Sequence, residues 1–101
     1  MKAGIDLKIT VTNEAAKWYK EEMALSDGDY LQFVVRLYGQ SIHPNYSLGI
    51  EKSDQLHISI QTEVEGIIFY FEKEDDWFIK DYHLTVSLDG DEPSFHFEPM
   101  A

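Results

Sequence analysis

At 101 residues and 11.7 kDa the chain has the size of one ordinary domain, long enough to bury a core without a metal or a disulfide. Hydrophobic residues make up 44% and charged residues 27%, a globular and not a disordered composition. Nineteen acidic against eight basic residues give a net charge of −11, a field that repels phosphate backbones and anionic lipid. Nucleic acid and membrane surfaces are therefore not expected as partners, whereas cations and basic protein surfaces are.

The absence of cysteine excludes disulfides, thiolate nucleophiles and cysteine-ligated clusters within the chain. The amino terminus lacks an apolar stretch of signal-peptide length, and Asp6 falls where one would run. Residues 67–71 form the longest apolar run, far short of the ~20 residues a membrane helix needs. A cytoplasmic location is the expectation. No repeat, linker or low-complexity tract divides the chain, so a single domain over residues 1–101 is expected.

Ile5, Leu7, Ile9 and Val11 alternate with polar residues, which predicts a half-buried strand. Thr12 follows as a helix N-cap with Glu14 in the first turn, where an acid suits the helix dipole. The predicted helix covers residues 13–25, with Ala15, Ala16, Tyr19 and Met23 on its buried side, widened by Trp18 and Leu25. Ser26-Asp27-Gly28-Asp29 ends it.

Strand patterns occupy the remainder. Leu31, Phe33, Val35 and Leu37 alternate along one strand, and residues 39–46 form a polar loop containing His43-Pro44-Asn45. Short strands are predicted at 46–51 and 56–60, followed by one carrying Ile67, Phe69 and Phe71. Two more carry Tyr82, Leu84, Val86 and Leu88, then Phe95 and Phe97, with Asp89-Gly90 reversing the chain between them. One early helix and about six strands predict an α+β, mainly β fold curled towards a barrel or sandwich.

Candidate chemistry is sparse. Alternation turns His57, His83 and His96 away from the core, as ordinary surface imidazoles. His43 lies in a polar loop beside Gly39, Gln40, Ser41 and Asn45, where it is either a turn residue before Pro44 or a ligand or acid–base group. Carboxylates cluster at Glu72/Glu74/Asp75/Asp76 and at Asp89/Asp91/Glu92, both across predicted turns, and neither has the order of a helical calcium loop. Nucleophile elbow, phosphate loop and dinucleotide fingerprint are all missing. No catalytic residue is assigned, and the chain is not expected to be an enzyme. A small hydrolase or isomerase using His43 with an acid is the enzymatic alternative.

The order of segments resembles a known family. Residues 9–16, Ile-Thr-Val-Thr-Asn-Glu-Ala-Ala, resemble the opening of the HesB/IscA-type proteins, the A-type iron–sulfur carriers. Residues 33–41 are similar to the strand and loop bearing that family's Gly-Gly-Cys-Ser-Gly motif. Tyr46-Ser47-Leu48-Gly49 follows as its Tyr-x-Leu segment, and residues 89–95 overlay its Cys-Gly-Cys-Gly-x-Ser-Phe. All three family cysteines are replaced, by Gln40, Asp89 and Asp91, and in this the chain resembles the cysteine-free, YneR-like branch.

The resemblance implies a HesB-like domain related to iron–sulfur biogenesis that is not a thiolate carrier, with a homodimer as the family's habit. It also implies a hard metal site at the former cysteine positions. Gln40, Asp89 and Asp91, joined by His43, would take Mn, Fe(II), Mg or Ca, and the bland alternative is that Asp-Gly-Asp is a polar turn. The competing reading is a cofactor-free interaction module or regulator whose acidic surface selects a basic partner.

Overall fold

A computed structural model describes residues 8–37, 39, 42–53 and 57–100. Its elements are β1 (Ile9–Val11), α1 (Asn13–Glu22), β2 (Tyr30–Leu37), β3 (Tyr46–Lys52), β4 (Ile58–Val64) and β5 (Ile67–Glu72). A 3-10 turn (Asp76–Ile79), β6 (Tyr82–Asp89) and β7 (Glu92–Pro99) complete the chain. The strands form two mixed sheets, ordered β1-β6-β7 and β3-β2-β5-β4, each with one parallel pair, β1 with β6 and β2 with β5. The expected α+β, mainly β architecture is present, and the two sheets do not close into a barrel.

Alternation explains which side chains meet between the sheets. Ile9, Val11, Leu84 and Val86 come from the three-stranded sheet; Leu31, Phe33, Ile67, Phe69 and Phe71 come from the four-stranded one. All are buried, and Phe33 stacks on Phe71 with ring centroids 4.9 Å apart. Helix α1 adds Ala15, Ala16 and Tyr19; the two alanines let the helix backbone come close, and the Tyr19 ring meets Phe69 edge-on. Burial pushes the Tyr19 phenol up to about 12.

Thr12 caps α1 as expected, its Oγ1 accepting from the Ala15 N–H at 3.1 Å. Thr12→Ala should therefore lower the unfolding free energy by about 1 kcal/mol in urea titration. The helix ends at Glu22, three residues before the predicted end, because Ala24 turns to a left-handed φ of 52°. Ile5 and Leu7, assigned to the first strand, lie outside the described residues, as does Leu56.

Turn chemistry settles the hairpins. Glu65 and Gly66 both have positive φ, the pattern of a type I′ turn joining β4 to β5. At the β6–β7 turn only Gly90 does, which is the type II′ pattern with glycine in the first central position. β4 runs to Val64, further than predicted, since Ile58, Ile60, Thr62 and Val64 continue the inward alternation.

β7 contains two prolines, and the register shows why it tolerates them. The Met100 N–H donates to the Asp81 carbonyl at 2.9 Å, so the even-numbered residues of β7 bond to β6. Pro93, Phe95, Phe97 and Pro99 consequently turn their backbone polar groups away from β6, where a missing N–H costs no ladder bond.

Candidate functional site

Of the four residues assigned to a metal site, the three that are described, His43, Asp89 and Asp91, are not brought together. Gln40 lies outside the described residues. Asp89 and Asp91 are exposed at the tip of the β6–β7 hairpin. His43 sits near the other end of that hairpin: its ring lies 4.8 Å from that of Phe78, which meets Phe97 at 6.0 Å. Phe97 pairs with Leu84, five residues along β6 from Asp89, or roughly 15 Å of strand. The His43 Nε2–H donates to the Phe78 carbonyl at 2.9 Å, which leaves that nitrogen no lone pair for a metal. Among the described residues no three His, Asp or Glu side chains converge as a metal site would need. Asp89-Gly90-Asp91 has the geometry of a tight turn.

His43 belongs instead to an aromatic corner. Its ring is 5.2 Å from Trp77, and Trp77 lies 5.7 Å from Tyr46, which pairs across the β2–β3 ladder with Leu37. Trp77 is 43% exposed and Leu37 66%, large apolar surfaces left towards solvent. The 3-10 turn that presents Trp77 was not predicted; its signal was the apolar triplet Trp77-Phe78-Ile79 behind a run of acids, too short for any period to show.

Those acids have a structural task. The parallel β2–β5 ladder ends at Phe33 and Phe71, and the chain then turns away from β2. The Asp75 carboxylate accepts the Val35 N–H that the ladder leaves over. Partial burial, reinforced by Glu74, Glu72 and Asp76, nevertheless holds the Asp75 pKa above the usual carboxylate range. Between the ordinary value and the raised one the folded chain binds more protons than the unfolded chain. Stability from this group thus falls as pH rises through that window, and the penalty is fully present above it. Asp75→Asn keeps an acceptor for Val35 and should flatten this dependence in urea unfolding measured from about pH 4 to pH 7.

A second feature lies where the sheets fail to close. A groove of about 400 Å³ is lined by Trp18 and Tyr19 of α1, Gly49 and Ile50 of β3, and Pro93 and Phe95 of β7. β3 and β7 are edge strands of their sheets. The Ser53 N–H bonds to the Tyr30 carbonyl, so Leu48, Ile50 and Lys52 turn their backbone groups away from β2. Among the described residues the groove's lining is mainly aromatic and apolar.

Together these features define a small acidic, cysteine-free α+β domain of two facing mixed sheets with an open seam. No family model matches the chain. It is 36% identical over 95 residues to the pyruvate dehydrogenase inhibitor of Bacillus subtilis, a match covering 91% of this chain and 100% of that protein. An uncharacterized protein of Staphylococcus saprophyticus is 32% identical over 97 residues, covering 88% of this chain and 97% of the relative. One from Staphylococcus haemolyticus is 28% identical over 86 residues, covering 79% and 85%. The chain belongs to the family of the Bacillus subtilis pyruvate dehydrogenase inhibitor.

This corrects the resemblance to HesB/IscA-type carriers and, with it, the expectation of a role related to iron–sulfur biogenesis. The full-length relative is named as an inhibitor, and the comparisons give no support to a carrier. The resemblance rested on a strand, a threonine cap, an alanine-containing helix and a glycine turn. These are local solutions that many α+β chains reach independently, and the cysteines that would make them specific are absent. Among the described residues no helix is long and apolar enough to cross a membrane.

Proposed function

We propose that this chain is a non-enzymatic regulatory protein that inhibits pyruvate dehydrogenase by binding to it. The observation that carries this reading is the match to a relative of that name over the relative's whole length. The net charge of −11 supports a partner whose contact surface is basic. The cytoplasm is the compartment this reading implies. The test is to add the purified chain to the pyruvate dehydrogenase complex of the same cell and follow pyruvate-dependent activity. A saturable fall in rate, with co-elution on gel filtration that weakens at high salt, is the expected result. Unchanged activity with the chain in large molar excess would overturn it.

A further inference from the structure

We propose that the free edge of β7 takes an extended, cationic segment of a partner protein as an added strand, with an apolar side chain of that segment entering the groove beside Phe95. The proposal rests on the regulatory reading above and names the surface and the kind of segment it would use. Three observations converge on it.

The first is the hydrogen-bonding content of the edge. Of the four residues whose backbone groups face away from β6, Pro93 and Pro99 have no N–H, so the outward donors of β7 are Phe95 and Phe97 alone. Prolines at both ends are the usual defence of an edge against indiscriminate pairing. Here the defence stops in the middle, leaving a window that fixes the register of an incoming strand.

The second is what lies beside that window. Phe95, Pro93, Ile50 and Trp18 give the groove an apolar lining directly next to the free donors. A residue paired with Phe95 shares its face and points its side chain into that groove.

The third is charge. Asp91, Glu92 and Glu98 are exposed, and none of the ion pairs among the described residues involves them. In an antiparallel pairing Glu92 and Glu98 face the residues three before and three after the one opposite Phe95. Basic residues at those two positions, around an apolar one, are the complementary pattern. β3 offers a poorer edge for such a segment, since Glu51 is engaged by Arg36 and Lys52 adds positive charge. A second copy is opposed by its own charge of −11 and by the carboxylates it would add to the same face.

The test uses the intact chain and an acetylated, amidated peptide, Lys-Thr-Thr-Ile-Thr-Thr-Lys, followed by amide NMR and hydrogen exchange. Saturable shifts of the Phe95 and Phe97 amides, with exchange slowed at least about tenfold, are expected at low salt. Both should vanish in Glu92→Lys/Glu98→Lys and persist in Glu21→Lys/Glu63→Lys, which makes the same change in net charge at exposed sites elsewhere. No saturable shift, equal loss in both variants, or protection at Leu48 and Ile50 without Phe95 and Phe97 would overturn the proposal. Concentration-dependent protection of Phe95 and Phe97 without peptide would overturn it in favour of a second copy.

The dehydrogenase assay separates the two levels. If the wild-type chain fails to inhibit, the regulatory reading falls and the peptide experiment still decides the edge. If Glu92→Lys/Glu98→Lys inhibits as well as the wild type, the regulatory reading stands and the β7 surface falls.

Discussion

Phe33→Ala is expected to destabilise the chain by about 3–5 kcal/mol, read as a lower urea midpoint at nearly unchanged slope. Phe33 is fully buried at the centre of β2, between β3 and β5. Its ring stacks on Phe71 at 4.9 Å and meets Phe69 at 6.3 Å and Phe95 at 6.1 Å, so it joins both sheets. Truncation removes the transfer energy of the ring and leaves a cavity that two sheet backbones restrain from collapsing. Domains of this size have roughly 5–15 kcal/mol in total, so the variant should sit near the threshold of folding. Phe33→Leu keeps most of the volume and should cost well under half as much. A loss below about 1 kcal/mol for the alanine variant would mean that the sheets close over the gap.

Phe78→Ala is the second large effect, also about 3–5 kcal/mol if the whole domain feels it. Phe78 is fully buried although it lies in a four-residue 3-10 turn. Its ring contacts His43 at 4.8 Å, Trp77 at 5.7 Å and Phe97 at 6.0 Å, and its carbonyl accepts from His43. So short a turn has little stability of its own and is held by this anchor. Loss of the ring should therefore free the aromatic corner before the sheets yield. The signature is a shift of Trp77 emission to longer wavelength at a lower denaturant concentration than the loss of far-UV circular dichroism, with Trp18→Phe in the background to isolate it. Coincident transitions would show the corner and the sheets to be one cooperative unit.

The two variants also show what a linear reading reaches. Phe33 announces itself, because Leu31, Phe33 and Val35 alternate over a long β-branched and aromatic run. Alternation likewise gave Leu84, Val86 and Ile67 their places, and residue type ahead of a first-turn acid gave Thr12 its cap. Phe78 does not announce itself: three apolar residues behind four acids carry no period, and the Phe78 ring meets Phe97, which arrives on β7 from the far end of the chain. The edge of β7 is a third case: Phe95 and Phe97 mark a strand, but which backbone groups Pro93 and Pro99 turn outward follows only from the pairing with β6. Asp89-Gly90-Asp91 is legible as a turn from its own chemistry, and the metal expected there came only from the overlay on a cysteine motif.

The pairing of β1 with β6 bears on how the chain reaches this fold. Ile9 meets Leu84 and Val11 meets Val86, so the first strand waits for nearly the last. The four-stranded sheet is drawn from one uninterrupted stretch between Tyr30 and Glu72 and contains two antiparallel hairpins that need only short loop closures. Kinetically, that stretch can organise early, while docking of the first strand carries the entropic cost of closing most of the chain. During synthesis β1 must stay exposed, with Ile9 and Val11 unburied, until β6 has left the ribosome. The strand β1 thus cannot be secured before β6 is available, and conditions that slow this docking should populate a species with the four-stranded sheet complete and the three-stranded one unfinished.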